Sequence, residues 1–444
     1  MADHRIAGPT PPTVLIVGAG LSGLMLGTLL EQINIPYHIF ERATEVRPLG
    51  TVMGLGANIL PVFEQLGLLE DVLNISLPSR DLNLYDINLT KMGTKDISGI
   101  KEISGYENVM FARPRLYEIM RKQVPAHRIS MNKKVLRTEE KEDKVIIHFS
   151  DNTICEGDIL VGADGAYSGV RQSMYKRLNE SGLLPKDDLD GFQIGYVSML
   201  GVATPKNPEK YPQLKDETSN FARVLGGANR GWGIFNIPNN QASWVLSIQL
   251  MAEEAKEQQF RNSEWGPEAN ETMIKEFQDM PSPWGGTMGD LIEDTPKHLI
   301  SKVYLEEKVF KTWYHGRSVL IGDGAANAMQ DAVVLANCLF NMADSSAESI
   351  KATFKEYYKQ RYHRAEAEIA RSRTLAKISA GQTTSEKILR QVSLKTPDWV
   401  QKRSDAKLYE YRPQIAWLPL AENHGTGRVL PQESPRRVLR QQAH

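Results

Sequence analysis

Three glycines with the spacing of a phosphate-binding turn come early in the chain. Gly18, Gly20 and Gly23 form a Gly-x-Gly-x-x-Gly pattern. Gly18 would permit a tight turn, Gly20 would let a pyrophosphate approach the backbone without a Cβ in the way, and Gly23 would let a helix pack closely on a strand. Backbone amides at a helix start also attract phosphate. The spacing therefore indicates a site for the phosphates of a nucleotide.

The elements around these glycines have the order that such a site needs. Val14–Val17 is a short apolar run typical of a strand, and residues 24–33 have a helical pattern. A second strand, Tyr37–Phe40, ends in Glu41, 18 positions after Gly23. A carboxylate at this distance can accept hydrogen bonds from an adenosine ribose, and a flexible surface loop would not have this context. We therefore predict a site for an adenine dinucleotide.

Two later segments repeat a strand that ends in glycine and aspartate. Residues 158–171 contain Gly162-Ala-Asp164-Gly165 and continue to Ser168, Val170 and Arg171, and residues 317–323 end in Gly322-Asp323. Together with the first glycine motif, these segments resemble the single-component FAD-dependent aromatic hydroxylases, exemplified by para-hydroxybenzoate and salicylate hydroxylases. A weaker match is Arg113-Pro-Arg-Leu116.

The resemblance implies FAD as the resident cofactor and a set of residues that hold it. Glu41 would bind the adenosine ribose with Arg42 beside it, Asp164 would lie near the pyrophosphate, and Asp323 would hold the ribityl chain. The simpler alternatives are a helix-capping role for each aspartate and an ordinary surface position for Arg113. The complete cofactor set is Gly18, Gly20, Gly23, Glu41, Arg42, Arg113, Asp164, Gly165, Gly322 and Asp323.

The same resemblance implies the reaction. NADH or NADPH would visit transiently and reduce FAD, because Gly226-Gly227 lacks the strand-and-helix context of a second dinucleotide motif. A flavin C4a-hydroperoxide formed with O₂ would then hydroxylate or epoxidise a hydrophobic small molecule, aromatic or polycyclic. No residue is nominated as a catalytic base. A halogenase would carry a W-x-W-x-I-P stretch, which is absent, while a flavin reductase and an NAD dehydrogenase remain weaker alternatives.

The predicted fold is α/β, with a Rossmann-like FAD-binding domain, an inserted, mainly antiparallel β-sheet domain for the substrate and a C-terminal helical region. A long amphipathic helix is expected from residue 346 to about 377. The domain boundaries that we predict are 12–188 for the first part of the FAD-binding domain, with substrate-domain strands near 80–110, then 189–300 for the substrate sheet, 301–376 for the second FAD-binding part and the long helix, 377–424 for a C-terminal segment and 425–444 for a disordered tail.

One part of the family pattern is missing. In the family, a loop containing His and Pro follows the glycine-aspartate strand end and passes over the flavin ring. Here Asp323 is followed directly by Gly324-Ala-Ala-Asn327 and then by Asp331-Ala332. We expect weaker flavin binding than in a chain with this loop, and the alternative function is an FAD-binding protein with impaired catalysis.

Composition excludes several other classes of function. The 444 residues carry 53 basic and 54 acidic side chains, so no basic excess indicates a nucleic-acid partner. Two cysteines and nine histidines show no disulfide or metal-ligand spacing. Glycines interrupt the most apolar stretch, Val14 to Leu30, so we expect no transmembrane segment and a cytoplasmic location. A weak contact of the arginine-rich tail with a membrane surface or a partner is left open.

Overall fold

The computed structural model describes residues 11–45, 52–226, 229–250, 270–322, 324–381 and 383–432. The strands are β1 (Val14–Val17), β2 (Tyr37–Phe40), β3 (Val52–Leu55), β4 (Leu77–Tyr85), β5 (Lys91–Asp96), β6 (Val109–Ala112), β7 (Ile129–Ser130), β8 (Val135–Glu140), β9 (Val145–Phe149), β10 (Ile154–Gly157), β11 (Ile159–Gly162), β12 (Gln193–Ala203), β13 (Ser219–Leu225), β14 (Arg230–Ile237), β15 (Gln241–Gln249), β16 (Ser301–Glu307), β17 (Tyr314–His315) and β18 (Ser318–Leu320). The helices are α1 (Leu21–Gln32), α2 (Leu60–Gln65), α3 (Leu69–Asn74), α4 (Gly99–Ser104), α5 (Arg113–Lys122), α6 (Gly169–Glu180), α7 (Lys186–Leu189), α8 (Glu271–Phe277), α9 (Met288–Glu293), α10 (Ala325–Phe340), α11 (Ala347–Ala380), α12 (Thr384–Leu394) and α13 (Asp398–Leu408).

A six-stranded sheet with the order β17-β18-β11-β1-β2-β7 carries the glycine motif. Strands β18, β11, β1, β2 and β7 run parallel, so their carboxyl ends meet at one edge. All four residues of β1 are buried, as expected for a parallel strand covered on both faces. Helix α1 packs against α10 on one face of this sheet. The predicted strand, turn and helix around Gly18 are confirmed.

A larger sheet has the order β16-β12-β15-β14-β13-β4-β6-β3, and β5 pairs with β4. It is antiparallel except where β4 runs parallel to β13. Its strands come from both 52–112 and 193–307. One face packs on α8 and α9 around the buried Trp232 and Trp244. This arrangement of an α/β domain, a mainly antiparallel sheet and a helical C-terminal region confirms the predicted fold class.

The C-terminal region begins with the expected long helix, α11, which runs from Ala347 to Ala380. The first part of the tail that was predicted to be disordered differs from this expectation, because residues 425–432 make backbone hydrogen bonds to other parts of the chain. The amides of Thr426 and Gly427 donate to the carbonyls of Glu102 and Ile103 in α4 (2.9 and 2.8 Å), which have no partner within so short a helix. Residues 433–444 lie outside the described part of the chain. In the parts that the structure describes, no helix combines the length and apolar character needed to cross a bilayer.

Candidate active site

The three motif glycines occupy three different environments after β1. Gly18 has a φ of +106°, which favours glycine, and it makes the turn between strand and helix. A Cβ on Gly20 would meet no protein atom within 4 Å, so the space in front of this residue is open. A Cβ on Gly23 would lie 2.0 Å from the Gly18 carbonyl oxygen. Gly20 thus leaves room for a ligand, while Gly23 allows α1 to pack under the turn.

Glu41 is fixed at the end of β2 by two backbone amides. Its Oε2 accepts a hydrogen bond from the Ala19 amide (2.8 Å) and its Oε1 accepts one from the Ala43 amide (2.9 Å). These bonds hold the carboxylate against the glycine turn. Each carboxylate oxygen has a further acceptor site, so Glu41 can still receive a hydroxyl group of a ligand.

Asp164 follows β11 and accepts a hydrogen bond from the start of α6. Its Oδ2 accepts from the Gly169 amide at 2.7 Å, which is the capping role considered as the simpler alternative. Its Oδ1 is buried and has no hydrogen-bond partner among the described residues. Burial raises the pKa of this carboxyl group above its ordinary value. The next residue, Gly165, has a φ of +75° and open space where a Cβ would be.

Arg113 is the first residue of α5. Its side chain is exposed to solvent and makes no hydrogen bond or ion pair with any residue that the structure describes. Desolvation by the surrounding protein lowers the pKa of the guanidinium. The nearby Tyr117 acts in the opposite direction and raises it. A cation that is partly desolvated and unpaired attracts an anion.

The strand end at Gly322 is tied to α10 and α11. Asp331 in α10 accepts from the Gly322 amide through Oδ2 (2.9 Å) and from Nε of Arg361 through Oδ1 (2.6 Å). The expected ribityl ligand, Asp323, lies outside the described residues. Only residues 321–324 separate β18 from α10, which agrees with the missing loop noted in the sequence.

These elements enclose the glycine-loop cavity, which has a volume of about 410 Å³. Gly23 is not among its lining residues. Further lining residues that sequence reasoning missed are Lys133 and Lys134, which follow β7, and Gln172 in α6. Eight of the ten predicted cofactor residues line this cavity: Gly18, Gly20, Glu41, Arg42, Arg113, Asp164, Gly165 and Gly322.

A second, more apolar space, the aromatic cavity, adjoins the first and shares Gly165 and Gly322 with it. Its volume is about 170 Å³, and Phe192, Phe310 and Trp313 contribute its aromatic walls. The guanidinium carbon of Arg171 lies 4.4 Å from the centre of the Phe310 ring and 5.0 Å from that of Phe192.

The two faces of the larger sheet carry different side chains. Trp232 and Trp244 fill the core, where their Nε1 atoms donate to the Pro281 carbonyl (2.9 Å) and to Thr295 Oγ1 (2.8 Å). The opposite face of the sheet carries Arg223, since neighbouring strand residues face opposite sides. The Nε atom of Arg223 is buried without a partner among the described residues, and burial lowers the pKa of its guanidinium. An unpaired buried atom of this kind is a candidate contact for a ligand.

The buried pair of Asp331 and Arg361 was not predicted as part of the site. A signal was present for Arg361, because it follows Phe354 and Tyr357 on the apolar face of the expected long helix. A charged residue at such a position needs a buried partner. In the described ranges no group of histidine, cysteine, aspartate and glutamate side chains has the arrangement of a metal site.

Comparisons with known proteins agree with this geometry. Residues 12–185 match the FAD binding domain family. The FAD-dependent monooxygenase ausM of Aspergillus calidoustus is 27% identical over 82% of this chain and 80% of its own length. The aurachin C monooxygenase/isomerase of Stigmatella aurantiaca is 26% identical over 86% of this chain and 94% of its own length.

Solved structures show the same fold. Klebsiella pneumoniae HpxO, complexed with FAD and uric acid, superposes with a TM-score of 0.71 at 19% identity, over 90% of this chain and 97% of that chain. The 2,6-dihydroxypyridine-3-hydroxylase of Arthrobacter nicotinovorans gives 0.66 at 16% identity, over 85% and 95%. Residues 12–185 thus match an FAD binding domain, and over most of its length the chain is similar to FAD-dependent monooxygenases.

Proposed function

We propose that the protein is an FAD-dependent monooxygenase that uses NAD(P)H and O₂ to hydroxylate or epoxidise a hydrophobic, aromatic or polycyclic small molecule. The observation that carries the proposal is the glycine-loop cavity, where residues from three distant motifs meet around the open space at Gly20. When bound, FAD supplies the two-electron and oxygen chemistry that the side chains lack. The cytoplasmic location and the domain boundaries stay predictions.

The residues of the cavity fit the parts of FAD. The amides at the start of α1 and the unpaired Arg113 suit the pyrophosphate. Glu41 suits the adenosine ribose, because its oxygens keep a free acceptor site. The unpartnered Oδ1 of Asp164 suits a hydroxyl donor of the cofactor. The ten predicted residues are proposed as the cofactor site on these grounds.

The aromatic cavity supports the substrate class. It adjoins the glycine-loop cavity at Gly165 and Gly322, so a ring held there would lie next to the cofactor. Aromatic side chains favour a flat apolar ligand.

The test is an absorbance spectrum of the purified protein, followed by NADPH and NADH oxidation under air with a panel of phenols and polycyclic compounds. We expect flavin absorbance, NAD(P)H oxidation that a subset of the panel stimulates, and ¹⁸O from ¹⁸O₂ in the product. A colourless protein that does not take up added FAD would contradict the proposal.

A second candidate is an FAD-binding protein with impaired catalysis. The short connection of residues 321–324 favours it, because the loop that covers the flavin in the family is missing. The same experiment separates the two candidates. A yellow protein without substrate-stimulated oxidation of NADPH or NADH would support the second one.

A further inference from the structure

Helix α12 presents its apolar side to solvent. It has no buried residue. The half-buried positions are Glu386, Arg390 and Leu394, which are four residues apart and therefore lie on one stripe facing the protein. Ile388 and Val392, on another side of the helix, are 57% and 59% exposed. A helix of a globular protein normally has the reverse orientation, with its apolar side against the core.

Polar contacts, rather than apolar burial, hold α12 in place. Arg390 donates from Nε to the Ile378 carbonyl (2.8 Å) and from Nη2 to the Ser379 carbonyl (2.9 Å), and so caps the end of α11. Thr383 and Glu386 form a capping box at the start of α12. The exposed apolar side chains thus have no role in fixing this helix.

The helix that follows α12 in the chain also carries exposed apolar side chains. Trp399, in the first turn of α13, is 69% exposed. Of the sixteen large apolar side chains that are exposed in the described residues, six lie between Leu375 and Val400. This concentration exceeds the scattered exposure that is normal for a protein surface. We call Ile388, Leu389, Val392, Trp399 and Val400 the α12–α13 apolar face.

The sequence around this face is basic, although the whole chain has a net charge of −1. Residues 384–408 contain six Lys or Arg residues and three Asp or Glu residues. Basic side chains, a tryptophan and branched apolar residues on short helices are the features of a segment that lies in the interface of an anionic membrane. A symmetric dimer through the same face is disfavoured, because the basic groups of both copies would meet.

We propose that α12 and α13 dock the protein on the surface of an anionic lipid bilayer, with the α12–α13 apolar face in the headgroup region. The site differs from the arginine-rich tail that the sequence left open as a membrane contact. The proposal does not depend on the monooxygenase activity.

The test is co-sedimentation of the full-length protein with vesicles of phosphatidylcholine alone or mixed with phosphatidylserine, at about 0.1 M salt, where charges are partly screened. We expect binding to the anionic vesicles that weakens with added salt. The double variant Ile388→Glu/Val392→Glu should lose binding. The matched control Ile154→Glu, at a residue 61% exposed elsewhere, should retain it.

Charge is tested separately with Lys387→Gln/Lys395→Gln. Each lysine near an anionic surface contributes about 1 kcal/mol, so binding should weaken roughly thirtyfold. Melting temperatures of all variants check that they fold. No binding of the wild type to anionic vesicles, or equal loss in the Ile154→Glu control, would overturn the proposal. A dimer in light scattering that Ile388→Glu/Val392→Glu dissociates would overturn it in favour of a second copy.

Discussion

The carboxylate of Asp331 joins the strand end of the cavity to the long helix, because it accepts hydrogen bonds from Nε of Arg361 at 2.6 Å and from the Gly322 amide at 2.9 Å. The two side chains are only 1% and 2% exposed. Burial alone would lower the pKa of Arg361, but Asp331, Tyr411 and Tyr357 together outweigh burial and the pKa is raised. Arg361 therefore stays charged, and its bond to Asp331 helps to fix Gly322 at the boundary of the two cavities.

The first prediction concerns this pair. Arg361→Met should destabilise the protein by about 3–5 kcal/mol, because it leaves the buried charge of Asp331 without its partner. Asp331→Asn/Arg361→Met removes that charge as well and should recover part of the loss. Urea unfolding monitored by far-UV circular dichroism measures both. Equal stability of the single variant and the wild type would contradict the role given to the pair.

The second prediction separates two glycines of one motif. Gly20→Ala should leave the melting temperature nearly unchanged, because the new Cβ meets no protein atom and the φ of −72° suits alanine. It should nevertheless weaken FAD binding, since the methyl group enters the space proposed for the pyrophosphate. Gly23→Ala should impair folding, because its Cβ would lie 2.0 Å from the Gly18 carbonyl oxygen. Thermal unfolding and flavin titration of the two variants provide the comparison.

Sequence reasoning located the part of the site that local patterns encode. Gly18, Glu41 and Asp164 each lie where a strand ends, so strand periodicity together with residue type predicts them. Contacts between distant helices have no such local signal. Arg361 and Asp331 are 30 positions apart, and only packing of α10 against α11 brings them together. Alternation along a strand likewise does not say which face of the larger sheet is covered by α8 and α9, so the sequence could not assign Trp232 and Trp244 to the core.

The third prediction tests Arg113 against a neighbour on the same helix. Arg113→Leu should weaken FAD binding about tenfold to a hundredfold, in line with about 1.5–3 kcal/mol for a hydrogen bond to a charged group. Arg115→Leu is the control, because Arg115 is exposed and pairs with Glu118 at 3.8 Å, away from the cavity. Flavin fluorescence quenching measures both dissociation constants. Equal effects of the two variants would remove Arg113 from the site.

The fourth prediction follows from the buried carboxyl group of Asp164. Its pKa is raised in the folded protein, so the folded state holds the proton more tightly than the unfolded state. The contribution of this carboxyl group to the free energy of unfolding is fully present below the unfolded pKa of about 3.9. It is lost as the pH rises through the folded pKa. Asp164→Asn does not titrate. The free energy of unfolding of the Asp164→Asn variant, relative to that of the wild type, should therefore rise as the pH increases from about 4 to neutrality.

A control of opposite sign tests the interpretation of Asp164. Lys133 and Thr153 hold the pKa of the exposed Asp151 below its ordinary value. Asp151→Asn should therefore lose stability relative to the wild type as the pH rises through the acid range to the unfolded pKa of about 3.9, and should change little from there to neutrality. The amplitude is small because the group is solvent-exposed. Urea unfolding at several pH values measures both differences. A difference for Asp164→Asn that does not change with pH would contradict the raised pKa.

The fifth prediction concerns the connection between Gly322 and α10. Helix α10 begins at Ala325, and its first turn lines both cavities through Ala325, Ala328 and Asn327. The variant carries a family-type loop with its His, Pro and glycines, inserted between Gly324 and Asn327. This loop would add a wall and amide donors at the boundary of the two cavities. It should therefore increase flavin affinity about tenfold or more, which corresponds to about 1.4 kcal/mol. A Gly/Ser insertion of equal length is the control, since it adds length without the same chemistry. Flavin content per chain after gel filtration and the dissociation constant of FAD measure the effect. If the native chain and the loop-containing chain hold comparable amounts of flavin, the short connection does not limit cofactor binding, and the reason for considering impaired catalysis is lost.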